Sequence, residues 1–174
     1  VDAAHFVMEP YLGFLWCFVR CFLPSAHGRK RYNVLGALDF ADKKLVTVCN
    51  DGYINADSVC ELLGKLAKKN QGVPVKVVLD NASYQRCQKV RDCAAPLGIE
   101  LVFIPPYSPQ FNLIERFWKF LKKECLYSKY YENFQSFKQA IDGVIENLSK
   151  YKKVLDTLIT PNFQDFSNVN LRTV

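Results

Sequence analysis

The 174-residue chain is predicted to be an α/β protein, a mixed sheet flanked by helices, and three observations predict it. Residues 32–39 and 44–48 are short apolar runs separated by Phe40-Ala41-Asp42-Lys43, the spacing of an antiparallel hairpin with a polar tip. Downstream the pattern alternates strand, helix, strand, helix. The run Val75-Lys76-Val77-Val78-Leu79 is apolar except at Lys76, as expected for a strand buried on both faces of a sheet.

Residues 2–8 read as the remaining part of a strand that starts upstream, and residues 12–22, rich in aromatic and β-branched types, as a strand or hairpin arm. Pro24 and Gly28 open a loop carrying Arg29-Lys30-Arg31. After the turn signal Asp51-Gly52, Asn55 or Asp57 can cap a helix whose apolar positions Val59, Leu62, Leu63 and Leu66 follow the 3.6-residue period. Ser83 caps a helix to about Ala95, ended by Pro96 and Gly98, and residues 100–104 form the next buried strand. A proline-rich loop leads into a helix over residues 112–126, where Ile114, Phe117, Trp118, Leu121 and Cys125 make one apolar face with Glu115 at its edge. Asn133 caps a further helix to about residue 150, with Phe137, Ile141, Val144, Ile145 and Leu148 as its stripe. A short helix is expected around residues 154–159. Domain organisation is read as one domain over residues 1–150 and a tail over 151–174.

Composition sets the class. With 49% hydrophobic and 23% charged residues the chain is an ordinary globular protein rather than a disordered one. Its longest apolar stretch, residues 12–23, is interrupted by Arg20 and falls short of the roughly 20 residues a membrane span needs. The chain begins at Val1 with no signal-peptide pattern and reads as a fragment of something longer. A net charge of +6 is the sign expected of a protein that meets phosphate backbones. The seven cysteines include no Cys-x-x-Cys pair and have only His5 and His27 as imidazole partners, which argues against zinc. Cys17 and Cys21 would lie about 13 Å apart on an extended segment, too far for a disulfide. Reduced, mostly buried thiols in a cytosolic protein are expected.

The chemistry centres on carboxylates. Asp80 ends the 75–79 strand, where ligands gather in mixed sheets, and 34 residues (81 to 114) separate it from Glu115. If the strand bearing Asp2 neighbours the 75–79 strand, the two aspartates are adjacent and the 112–126 helix can bring Glu115 over them. Three converging acids repel one another unless cations neutralise them, and an all-oxygen set selects Mg²⁺ or Mn²⁺. Two such ions support phosphodiester chemistry. Each residue also has a purely structural explanation: Asp80-Asn81 as a helix-capping turn, Glu115 as a surface partner of Lys119, Asp2 as a frayed terminus, Tyr107 and Trp118 as packing aromatics, and His5 as a packing or hydrogen-bonding residue.

Asp80-Asn81-Ala82, the 34-residue interval and Pro105-Pro106-Tyr107-Ser108-Pro109-Gln110-Phe111-Asn112-Leu113-Ile114-Glu115-Arg116-Phe117-Trp118 closely resemble the catalytic domain of DDE transposases in the bacterial and archaeal insertion-sequence branch of the mariner superfamily. The resemblance spans roughly residues 2–148. It implies a ribonuclease H-like fold, a five-stranded mixed sheet flanked by helices whose first strand is truncated at the N-terminus. It also implies Asp2, Asp80 and Glu115 as a triad for two Mg²⁺ or Mn²⁺ ions, and cut-and-paste transposition of double-stranded DNA, commonly at TA dinucleotides. A homodimeric synaptic complex acting at the nucleoid in a prokaryotic cytoplasm follows from the same likeness. Such proteins usually carry an upstream helix-turn-helix region, absent from this chain, and many have Glu after the first Asp where Ala3 stands. Asn81 and Asn112 are candidates to orient the carboxylates. Arg29, Lys30, Arg31, Lys119, Lys122 and Lys123 are candidates to contact DNA. Two alternatives stay open: a DNA-binding remnant without turnover, and a related nuclease acting on RNA–DNA hybrids or junctions.

Overall fold

A computed structural model describes residues 1–8, 18–19, 30–105, 108, 111–127 and 129–160. The strand expected over residues 12–22 lies almost wholly outside them, as do Cys17, Cys21, Arg29 and the Pro106, Tyr107, Pro109 and Gln110 of the proline motif.

Strands β1 (Asp2–Val7), β2 (Arg31–Leu38) and β3 (Leu45–Asn50) form an antiparallel sheet in that order. The β2–β3 hairpin turns where its polar tip predicts: Asp39 Oδ1 accepts the backbone N–H groups of Ala41 and Asp42, and Lys43 takes a left-handed φ of 56°. Helix α1 (Ala56–Lys69) follows, then β4 (Val75–Leu79), α2 (Ser83–Arg86), α3 (Gln88–Ala94) and β5 (Ile99–Phe103), with β4 and β5 paired in parallel. Helices α4 (Ile114–Leu126), α5 (Phe134–Glu146) and α6 (Lys152–Leu158) complete the described fold.

Several sequence expectations are met at side-chain level. Asn55, rather than Asp57, caps α1, its side chain accepting the Ser58 N–H in a reciprocal capping box, and the Asn133 side chain caps α5 by accepting the Ser136 N–H. The whole predicted stripe of α4 is buried, together with Phe120 and Leu126. Leu155 and Ile159, in and just after α6, join the same core.

Among the described residues the strands pair as a three-stranded antiparallel sheet and a two-stranded parallel one, and between them the Val1 main-chain nitrogen donates to the Val78 carbonyl at 2.6 Å. Three expectations are corrected. The strand buried on both faces is β2, not β4; Val78 is 44% and its β5 partner Val102 38% exposed, whereas Val34 and Leu35 are fully buried on opposite faces of β2. A three-stranded sheet with helices on both sides buries its central strand twice. The helix expected from Ser83 to Ala95 is broken at Cys87, which is extended (ψ 158°), and α2 starts without a side-chain cap. Finally, Cys60 of α1 and Cys93 of α3 are joined as a disulfide, with 5.8 Å between Cα atoms. Packing of α1 on α3 brings together two residues that 33 positions of sequence keep apart. Of the free thiols described, Cys125 is buried while Cys49 is exposed.

The β1–β3 sheet separates two cores. On one face Leu35, Ala37 and Val48 pack with α1, α3 and β4. On the other Ala4, Phe6, Tyr32 and Val34 meet α4, α5 and α6. Asp2 shares the parity of Ala4 and Phe6 and therefore sits on the α4 side, opposite Gly36 in register. Within the sheet, fully buried Asn33 contacts His5 Nδ1 at 2.6 Å and donates to Asn50 Oδ1 and the Gly52 carbonyl, which ties all three strands at one level.

Gly36 is the point of closest approach between sheet and helix. A Cβ there would lie 2.7 Å from Trp118 Cη2 and 2.9 Å from Cζ2. Gly36→Ala is expected to destabilise the chain by about 1–3 kcal/mol through this overpacking, measured as a lower urea midpoint with unchanged slope. An unchanged midpoint would show that the ring does not fill that space.

Candidate active site

The acids arrive on three separate elements. Asp2 opens β1, Asp80 follows the last residue of β4, and Glu115 sits in the first turn of α4. The Val1–Val78 hydrogen bond sets the start of β1 against the end of β4. Asp80 makes an Asx turn, its Oδ1 accepting the Ala82 N–H at 3.1 Å. The turn is not the helix cap that Asp80-Asn81 could also have formed, since α2 starts without a side-chain cap bond. Asn81 donates through Nδ2 to the Ile104 carbonyl, and Ile104 in turn donates its N–H to the Leu79 carbonyl, so the ends of β4 and β5 are laced together. Asn112 is buried, and its carbonyl accepts the Glu115 N–H at 3.1 Å as α4 begins.

Asp2 and Glu115 feel the charge of acidic neighbours. The Asp2 carboxyl is held above the ordinary range, first by burial and then by the negative charge of Asp80, against the backbone N–H of Ala3 and the indole of Trp118, which pull it down. Glu115 is likewise raised, by burial first, then by Asp2; Lys119, one helical turn on, opposes the shift and Asp80 adds to it. Among the described residues no ion pair involves Asp2, Asp80 or Glu115.

The donor set suits a hard dication, being three carboxylates whose mutual repulsion such an ion would relieve. Among the described residues, however, no group of three or more His, Cys, Asp or Glu side chains is gathered to hold a metal ion as placed. The acids are neighbours in charge, not yet a closed cage.

The basic candidates divide into two groups. Lys119 and Lys122 lie one and two turns beyond Glu115 on the same side of α4; Lys119 and Lys123 are exposed, while Lys122 lies over the Phe6 ring at 6.0 Å. Lys30 and Arg31 are exposed at the opposite end of β2, since Arg31 pairs with Val7 and Gly36 with Asp2. Five strand residues, about 17 Å, separate them from the acids. They line a shallow groove with Asp51, Tyr53 and Phe134.

Sequence reasoning missed one contact in the site. Trp118, expected only to pack, donates its indole N–H to Asp2 Oδ2 at 3.1 Å. The available signal was the indole itself, a buried donor that needs an acceptor. Arg116 was also unassigned; its guanidinium donates to the Thr160 carbonyl at 3.1 Å and to that of Leu158, pinning α4 to the end of α6.

The mixed α/β fold is shared with solved transposase and integrase structures. The Mos1 transposase in its paired-end complex with the left transposon end superposes with a TM-score of 0.65 at 16% identity, over 84% of this chain and 46% of that one. The Mos1 mariner paired-end complex with Mn gives 0.61 at 14% identity, over 91% and 54%. The catalytic core domain of BIV integrase gives 0.51 at 17% identity, over 74% and 88%. An uncharacterized protein of Sinorhizobium fredii (strain NBRC 101917 / NGR234), y4pE/y4sA, is 25% identical over 83 residues, 47% of this chain and 59% of that protein. Residues 19–138 match the family described as DDE superfamily endonuclease, and the chain belongs to that family. Asp80 and Glu115 fall inside the matched stretch and Asp2 outside it. The chain spans about half the length of the Mos1 chains. No helix among the described residues is long and apolar enough to cross a membrane.

The raised acids make a prediction about stability. Glu115 keeps its proton to a higher pH when folded than when unfolded, where its value is near 4.5. The folded state then binds more protons above that pH, so its stability falls as pH rises through the window between the two values. Glu115→Gln removes this loss. Thermal melts of the metal-free chain are expected to show the variant more stable than the parent near neutral pH, with the gain vanishing below pH 4.5. A gain equal at both pH values would contradict the electrostatic origin.

Proposed function

We propose that this chain is the catalytic core of a transposase of the bacterial and archaeal insertion-sequence branch of the mariner superfamily, cutting DNA strands and transferring them, cut-and-paste, to TA targets. What supports the reading is that Asp2, Asp80 and Glu115 come from three elements and that burial raises Asp2 and Glu115, with the charge of Asp80 adding to the first and that of Asp2 and Asp80 to the second, in a chain of the DDE endonuclease family. In this reading the three carboxylates hold two Mg²⁺ or Mn²⁺ ions. Such ions, when bound, supply charge stabilisation for in-line displacement at phosphorus.

The protein's own part is placement. Asp80 is fixed by its Asx turn, Asn81 braces the strand end that carries it, and Asn112 braces the start of α4. Lys119 and Lys122 lie along the helix face that leaves Glu115 and guide a phosphate backbone away from the acids. Lys30 and Arg31, with Arg29 beside them in sequence, contact the same duplex about 17 Å away, roughly five base pairs at 3.4 Å each. The finer architecture belongs to the same proposal: one five-stranded ribonuclease H-like sheet with β1 between β2 and β4, a catalytic domain over residues 1–150, and a C-terminal segment 151–174 that begins with the docked α6. So do a homodimer in the synaptic complex, transposon ends and target as DNA partners, and action in a prokaryotic cytoplasm.

One observation favours a second reading, a DNA-binding remnant without turnover: the acids are not gathered to hold an ion as placed. Mn²⁺ calorimetry separates the two, because a remnant would take up no ion that depends on the three carboxylates.

Asp80→Asn and Glu115→Gln are each expected to reduce Mn²⁺-dependent strand cleavage to background while retaining a cooperative melt. Near-normal cleavage by either variant would reject the triad. For DNA binding, Lys119→Ala, Lys122→Ala, Lys30→Ala and Arg31→Ala should each weaken affinity across sequences and lower the slope of log affinity against log salt by about 1. Fluorescence anisotropy over a salt series measures this, and an unchanged slope removes that residue from the DNA track.

A further inference from the structure

We propose that Trp118 is a positioning residue for Asp2, its indole N–H fixing the direction of the carboxylate, and that Gly36 is glycine to let the ring reach it. The inference rests on the metal-binding reading of the acids and adds to it a residue outside the triad.

The apolar stripe of α4 requires only a large hydrophobic side chain at position 118, and Phe or Leu would meet that need. Tryptophan brings a donor as well, and at 5% exposure the donor must find a protein acceptor. The acceptor is Asp2 Oδ2 at 3.1 Å, 116 positions away in sequence. The ring is held by edge contacts to Phe6 and Phe117, with centroids 6.5 Å and 5.2 Å away, so its N–H has little freedom to turn elsewhere.

Gly36 supplies the independent observation. Glycine weakens a strand interior, and here it sits in β2 directly opposite Asp2. Its φ is not left-handed, so backbone conformation does not require it. Close approach does, since any Cβ would lie 2.7 Å from the indole ring. The cost to β2 is explained by the ring that fills the space and delivers its N–H to the neighbouring strand.

Helix α4 therefore acts on two acids at once. It carries Glu115, and one turn later it carries the donor that orients Asp2. The relative placement of two proposed ligands is set by one rigid element, with the Ala3 N–H as the second donor to Asp2.

The test replaces Trp118 with β-(3-benzothienyl)alanine, which keeps the shape of the indole and puts sulfur in place of N–H. Calorimetric Mn²⁺ titration of the full chain, the Mn²⁺ concentration for half-maximal strand cleavage, and the melting temperature are measured beside the parent and Asp80→Asn. The expected result is a Mn²⁺ affinity about 10-fold weaker, the size such outer partners typically contribute. The half-maximal concentration should rise by the same factor, cleavage should recover at saturating Mn²⁺, and the melt should stay close to the parent's. A packing role alone would leave both the melt and the metal dependence as in the parent, because the analogue keeps the shape of the ring. If the analogue binds Mn²⁺ as the parent does while Asp80→Asn has lost it, the inference is wrong and the site reading stands. If parent and Asp80→Asn bind Mn²⁺ alike, the site reading falls and the inference with it.

Discussion

The fold depends on laying the aromatic face of α4 flat against β1 and β2. Phe117 and Leu121 are fully buried there, and Trp118 reaches further, into space that exists because residue 36 has no side chain. That contact sets the height of the helix above the sheet. Everything at the acidic end follows from it, including the position of Glu115 in the first turn, the donor aimed at Asp2, and the path of Lys119 and Lys122 away from the site. The far side of the helix is fastened too, since Arg116 grips the carbonyls at the end of α6 and Phe120 packs edge-on to Tyr151 at 5.2 Å. A helix held on two sides keeps a side chain at its rim in place without a direct bond to that side chain.

The electrostatics run against stability at the same place. Elsewhere the fold pairs its surface acids with lysines, as in Lys138 with Asp51 at 3.0 Å and Lys76 with Glu100 at 2.9 Å. At the junction of β1, β4 and α4 it does the opposite and moves acids toward one another and out of water. Burial and like charge both penalise ionisation there. Such an arrangement stabilises nothing by itself, and a protein that keeps it is better explained by what the acids attract than by what they contribute to folding.

Much of this was legible in the chain. The hairpin, the two Asn caps, the α1 stripe and the α4 stripe follow from short-range rules, because period, cap and turn chemistry act over a few residues. The acids at 80 and 115 were legible for the same reason: one ends a strand, the other follows a proline loop at the head of an amphipathic helix. The errors were of another kind. The doubly buried strand was placed at residues 75–79 on apolar content, whereas the packing of helices on both sides falls to β2. The single helix expected from Ser83 is two, and the thiols of Cys60 and Cys93 are a pair that no local pattern marks.

The sequence by itself determined the class of the fold, the apolar face of α4, and which acids were worth watching, since each depends on neighbours within a few positions along the chain. Tertiary structure alone decided that Asp2 stands opposite Gly36, that Trp118 lies over that glycine and bonds to Asp2, and that the Lys30–Arg31 end of β2 is remote from the acids. Those facts depend on strand register and on the distance between helix and sheet. Both are set by the filling of shared space by residues more than 80 positions apart, and no periodicity along the chain encodes that.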